Sequence, residues 1–441
     1  AASGTLVEGG GRVDVESGAT VSGTIVSSGA VVVLGSAGGT VVHSGGADYV
    51  DSGGSAGGTQ VSGGDEYVEA GGAASGTTVS GGAQVVYGAA SGTVLASGGY
   101  QYVEAGGAAI GTNIGSGGVE SLYGGASGTI VDSGGADYVN SGGLAMSTTV
   151  SGGEEFVERF GESTGATVDG GAQVVYGFAL DTTLNSGGYQ YVEAAGEAGN
   201  TIVNATGVLS VYGLAIGALV QSGGADYVEA GGATSDGRIS GGDEFVEAGG
   251  SAAYSLVSGG AEVVYGTATS AGLVAGGYQY VEAGGVASGT TVASGGYEYV
   301  LSGGAVSGAT ISGGEIELTS GAIDGAAAVT FAASAGGTLR LDDSVHFGGL
   351  VAGFAQPDQL DLSDIGFGPN THLSFVEAGG NLSGTLTVTD GVHAANLTLL
   401  GQYVTAQFTS ASDGHGGTLI GDPPLGAATD RAPPTLLAPT V

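Results

Sequence analysis

Apolar positions recur along this chain in short alternating runs, two to a unit, separated by glycine doublets. Asp48-Tyr49-Val50 is one such run and Thr59-Gln60-Val61 the next. Runs this short, bounded by Gly, read as strands joined by tight turns. The unit shows no helical period. Its aliphatic positions fall into columns: Val50, Val68, Val86 and Val103, continuing through Val139, Val157, Val175 and Val192. A second column runs Val61, Val79, Leu95, Ile114. A unit of two short strands cannot bury its own apolar face, but a stack of them can. The pattern therefore predicts an all-β chain, a right-handed parallel β-helix (β-solenoid). About 18 turns over residues 2–324, at ~4.8 Å per stacked strand, would give a rod of roughly 85 Å.

A longer period lies over the short one. Turns begin at Ser44, Ser62, Ser80, Ser97, Ser116 and Ser133, and SGGADYV returns at Ser133 and Ser222, 89 residues apart each time. Three super-repeats follow, at 44–132, 133–221 and 222–310. Glycine makes up 98 of the 441 residues, without the three-residue period of collagen. Its doublets suit corners that need positive φ. All seven prolines lie at or beyond Pro357, as uninterrupted ladders before that point require.

The position two before each core valine is polar: Asp48, Glu66, Gln84, Gln101, Glu120. Alternation places it on the same side as the valine, so it is read as an interior polar ladder at a corner, since a buried polar group must find partners. The tyrosines between then face outward. Tyr49, Tyr67, Tyr102, Tyr138, Tyr191, Tyr227 and Tyr280 are candidate surface contacts, for sugars or for a partner rod. The plainer reading is ladder packing, because aromatic residues suit strands.

Charge narrows the function. The net charge is −37, and all five basic residues are Arg. Such a chain does not neutralise phosphates, and it has no polybasic membrane anchor. No apolar run is long enough for a membrane-spanning helix, so membrane insertion of this chain is not expected. Without cysteine there is no disulfide or thiol chemistry. The chain starts at Ala1 with no initiating Met, which reads as a processed product or a fragment.

After Asp324 the regular step fails. Residues 325–421 read as a β-rich cap over the solenoid end, and 422–441 as a Pro-rich flexible tail and candidate secretion signal. Asp358, Asp361, Asp364 and Asp413 are candidate ligands for calcium, a hard cation that takes oxygen. The alternative is turn-forming Asp. No cofactor is required. The acid pairs Asp65-Glu66, Glu154-Glu155 and Asp243-Glu244 could suggest glycoside chemistry. They recur at the 89-residue step, however, whereas an active site is normally one place, so they are read as solvated surface acids. No Ser-His-Asp arrangement, P-loop, dinucleotide fingerprint or zinc spacing is present, and the chain is read as a non-enzyme.

The units SGGADYVDSGGSAGGTQV (44–61) and SGGDEYVEAGGAASGTTV (62–79) resemble the strand-loop-strand repeat of AIDA-type bacterial adhesins, the passengers of autotransporters. The resemblance covers about residues 2–324. It implies a secreted or cell-surface β-helix used in adhesion, autoaggregation and biofilm formation, with sugars on repeat Ser and Thr in some members. Such adhesins usually continue into a membrane β-barrel, for which too few residues follow 324. Either the barrel is separate or export takes another route. PDQLDLSDIGF (357–367) and SDGHGGTLIGDPP (412–424) resemble the C-terminal regions of type I-secreted, RTX-like proteins. The expected function is an adhesin or biofilm matrix protein acting by multivalent self-association, or by binding glycans and host or abiotic surfaces. A surface-layer or filament subunit is the alternative, and a β-helix polysaccharide-acting enzyme is a lesser one.

Overall fold

The computed structural model describes residues 1–333 and 335–422. The Pro-rich tail expected at 422–441 lies, from residue 423 on, outside the described residues. Strands make up the fold, and the one helical element among the described residues is a 3-10 turn at Thr405–Gln407. The chain divides into two compact units, Ala1–Ser288 and Gly289–Val441.

The first unit is a parallel β-solenoid. One coil shows the plan. It carries a longer strand at Asp65–Val68, then short strands at Ala73–Ser75 and Thr78–Val79, before the next coil opens with Gly82–Val86. Each strand pairs in parallel with its equivalents on the coils to either side, in register. Glu66 stands between Asp48 and Gln84, Ala74 between Ala56 and Ala90, and Val79 between Val61 and Leu95. Every coil therefore has three faces. The wide face turns a polar residue and a Val inward, the second turns in Ala, and the third turns in Val, Leu or Ile, preceded by Thr.

The core is a stack of equivalent layers. Val50, Val61, Val68, Val79, Val86, Leu95, Val103 and Ile114 are fully buried, with Ala56, Ala74 and Ala90 almost so. Each buried aliphatic side chain contributes about 1.5–3 kcal/mol. The small Ala column lets the second face approach the other two.

The glycine doublets serve two purposes. In Gly53-Gly54 the first has φ +83 and open space where a Cβ would go, so it is a conformational glycine. A Cβ on the second would overlap the Val33 carbonyl oxygen of the preceding coil. Sequence reading anticipated the first reason. The second depends on how closely coils stack.

The second unit begins with further parallel coils, including Tyr297–Val300 paired with Glu315–Leu318. Parallel pairing continues beyond Asp324: Thr338–Leu341 pairs with Gln359–Leu362, and Val329–Phe331 with Leu350–Ala352. The direction then changes. His372–Glu377, Ser383–Thr389 and Ala394–Leu400 form an antiparallel meander. Thr418–Gly421 lies antiparallel on both Gln359–Leu362 and Thr409–Ser412. Phe331, Phe354, Phe375, Tyr403 and Phe408 cluster here, and the Tyr403 hydroxyl donates to the Phe354 carbonyl at 3.0 Å.

Candidate functional site

The polar position of the wide face points inward along the first unit. Asp48, Glu66, Gln84, Gln101, Glu120, Asp137, Glu155, Gln173 and Gln190 have essentially no solvent exposure. The reading of the acid pairs as solvated surface groups is therefore corrected. Asp65, Glu154 and Asp243 do face outward, but Glu66, Glu155 and Glu244 are buried. Adjacent residues on a strand take opposite faces, so one of each pair must enter the core.

This interior column is wired by hydroxyls and amides. Thr77 Oγ1 donates to Glu66 Oε2 at 2.9 Å, and Gln84 Nε2 donates to the same oxygen at 2.7 Å from the next coil. Gln101 Nε2 donates to Gln84 Oε1 at 2.6 Å, and Thr93 Oγ1 to that oxygen at 2.9 Å. One super-repeat later, Gln173 donates to Glu155 at 2.6 Å and Gln190 to Gln173 at 2.7 Å.

At two coils where the threonine is missing, a hydroxyl comes from the Ala column instead. Ala166 replaces Thr, and Ser163 supplies Glu155 at 3.2 Å. Gly237 replaces Thr, and Thr234 supplies Glu244 at 2.9 Å. Where the acid becomes Leu209, the opposite position becomes Ala218, and both are buried. Each isolated swap looks like drift in the sequence. The pairing across the core explains it, because a buried carboxyl needs a donor and a buried Leu must not face an unused hydroxyl.

Burial sets the charge state of these acids. Asp48 is pushed up to about 8 by burial and then by Glu66 on the next coil. Glu298, in the second unit, is also pushed up to about 8 by burial. Burial raises Glu120 and Glu155, and raises Asp137 between them well above the carboxylate range, with the two flanking acids adding to it. These acids resist ionisation because no cation faces them in the core. Most of the chain's 42 acidic residues lie outside this buried column.

The outer side of the wide face is aromatic. All seven tyrosines named as surface contacts lie there, half-buried or exposed. They do not stand alone. Tyr49 stacks on Tyr67 at 5.0 Å, Tyr138 on Phe156 at 4.9 Å and Tyr227 on Phe245 at 5.0 Å, each between neighbouring coils. Tyr100 lies beside Tyr102 at 6.2 Å, and Tyr189 beside Tyr191 at 6.1 Å, within one strand. The sequence reading omitted Tyr100, Tyr189, Phe156 and Phe245. Alternation was the available signal, since the first and third residues of each YQYV run share a face.

Three of the four candidate calcium ligands serve turns and loops, and Asp361 lies in the strand Gln359–Leu362. Asp413 accepts the N–H groups of His415, Gly416 and Gly417 at 2.7, 2.9 and 2.8 Å. Asp358 accepts from Ala355 at 2.9 Å, and Asp364 from Val345 at 3.2 Å and from the Ser344 hydroxyl. Asp361 is raised by burial and then by the charge of Asp413, the one close electrostatic relation within the set. Among the described residues, no group of three or more His, Asp or Glu side chains is gathered to hold a metal. No described helix is long and apolar enough to cross a membrane. His346 Nδ1 lies 2.7 Å from Asp343, whose other oxygen takes the Ser320 hydroxyl at 3.5 Å. Serine and histidine thus share the Asp rather than facing each other, so no nucleophile is activated there.

A stack of coils with a sealed interior and a repeated outer face is the architecture of a stalk. The family model described as "Adhesin of bacterial autotransporter system, probable stalk" matches residues 84–135. A solved structure of a hyper-glycosylated TibA fragment, modified by TibC, is 34% identical; the alignment covers 62% of this chain and 99% of that one, with a TM-score of 0.49. On that sequence identity, the chain belongs to the AIDA-type autotransporter adhesin family, and it is a bacterial adhesin. A tailspike double mutant from E. coli bacteriophage HK620 is 10% identical over 94% of this chain and 84% of its own, with a TM-score of 0.17, and carries no further argument. No curated protein sequence matches.

Proposed function

We propose that this chain is the stalk of a secreted or cell-surface adhesin that works by multivalent contact along its wide face, including contact with further copies of itself. The observation that carries this reading is the repetition of the same exposed rings every 89 residues, at Tyr100 and Tyr189, Tyr102 and Tyr191, Tyr138 and Tyr227. Weak contacts repeated on a rigid frame add through effective concentration. This mode of contact serves autoaggregation and biofilm cohesion.

The glycosylated TibA fragment supports modification of surface hydroxyls here as well. The structure sorts the acceptors by face. Ser75 and Ser91 are exposed, whereas Thr77 and Thr93, two residues further on, are buried against the polar column. A TibC-type transferase is expected to modify the first pair and leave the second untouched, as read by peptide mass spectrometry.

The test of adhesion is clumping of beads coated with the purified protein. At about 0.15 M salt the Debye length is about 8 Å and at 0.01 M about 30 Å, so acidic rods approach one another only at the higher salt. Clumping that appears at 0.15 M and weakens at 0.01 M is expected. Absence of clumping at every salt concentration overturns self-association and leaves other surfaces as the partner. Calcium and EDTA arms of the same assay read any metal contribution.

A further inference from the structure

The aromatic strip of the wide face is interrupted in a regular way. Tyr100 and Tyr102 form a wall of two near-coplanar rings on Gly99–Val103. On the next coil the residue in register with Tyr102 is Ser121, and on the coil after that it is Tyr138. Tyr138 is backed by Phe156. Eighty-nine residues later the arrangement repeats: Tyr189 and Tyr191, then Ser210, then Tyr227 backed by Phe245. Each serine is thus the floor of a slot walled by rings two coils apart.

Two coils set those walls about 10 Å apart. A ring placed midway sits about 5 Å from each wall. Ring thickness alone admits a flat ring, as Tyr49 on Tyr67 at 5.0 Å shows, or a pyranose chair; the polar floor and the charge at the rim favour the sugar. The floor is polar and already anchored: Asn140 Nδ2 donates to Ser121 Oγ at 2.9 Å, and Ser210 Oγ donates to Glu229 Oε1 at 3.4 Å. Glu104 follows the first wall and Glu193, 89 residues on, follows the second; Glu229 takes the place that Asn140 holds at the first slot. The strands that build the slots contain no Lys or Arg. An anionic sugar is therefore repelled, and an amino group at the rim finds a carboxylate.

We propose that these two slots bind rings of an amino-sugar polysaccharide, each pyranose held between tyrosine walls with its ammonium on the rim carboxylates. The slots are five coils apart, about 24 Å, and each takes one ring. This rests on the adhesin reading and names a partner chemistry for it. In the third super-repeat the position equivalent to Ser121 and Ser210 is Tyr299, which lies beside Tyr297 at 6.4 Å.

That substitution supplies the test. Calorimetric titration of the full chain with a glucosamine hexasaccharide is compared with titration of the double variant Ser121→Tyr, Ser210→Tyr, which fills both slots without altering charge. A second variant, Tyr102→Ala with Tyr191→Ala, removes one wall from each. Both are expected to weaken binding tenfold or more while circular dichroism is unchanged. Lysine hexapeptide, a cation without rings, measures general attraction to the acidic surface and should bind the wild type and the filled variant alike. Failure of the wild type to bind the hexasaccharide, or equal binding by the wild type and the slot variants, overturns the proposal. Bead clumping of the filled variant is scored separately. If clumping persists while sugar binding is lost, self-association stands independently of the slots.

Discussion

Asp48 occupies a position where a carboxylate would be costly and a neutral acid is tolerable. It lies between Val31 and Glu66 on the coils to either side, and the Thr40 hydroxyl offsets the effect of burial only in part. Burial, then Glu66, holds its pKa at about 8 against an ordinary 3.8. The folded state therefore retains a proton that the unfolded chain releases. The stability tied to that proton is complete below about pH 4, declines as pH rises, and is lost above about pH 8. Asp48→Asn removes the ionisation and keeps the shape. Urea midpoints of wild type and variant should nearly coincide at pH 4, with the variant ahead by several kcal/mol at pH 9, since each pKa unit is worth about 1.4 kcal/mol. Equal midpoints at pH 9 would mean that the carboxylate finds solvent or a counter-ion inside the coil.

Strand and turn together decide how closely coils stack. The Gly53-Gly54 doublet separates two demands that look alike in sequence. Gly53→Ala meets open space and should cost about 1 kcal/mol, the price of a left-handed conformation. Gly54→Ala drives a methyl into the Val33 carbonyl and should cost about 3 kcal/mol, in the manner of overpacking. Denaturant melts of the two variants give the comparison, and equal losses would show that the coil spacing yields at this corner. The alternation of the wide strand was legible in the sequence: Val50 and Asp48 in, Tyr49 out. The donors of the buried acids were not, because Thr77 lies 11 residues from Glu66, and Ser163 takes over from a threonine column on a different face.

At the scale of the molecule, repetition is the design. Removing residues 133–221 joins Asp132 to Ser222 and offers Val119–Leu122 the strand Ala225–Val228, whose residues are the same as those of Ala136–Val139. The shortened chain should keep its β circular dichroism and cooperative melting. Bead clumping should fall in part, because contacts are lost in number and not in kind. Complete loss of clumping would point to one essential site within 133–221. The sequence by itself determined the strand period, the 89-residue super-repeat, the inward valines and polar ladder, and the family, because these depend on local alternation and recurrence. Only the tertiary structure decided that hydroxyls cross the core to meet Glu66, Glu155 and Glu244, that parallel pairing runs past Asp324, and that Ser121 and Ser210 lie between aromatic walls. Those features arise from residues 17 or more apart in sequence, or from opposite faces of a coil. Their meeting is set by the stacking of one coil on the next, which no single repeat encodes.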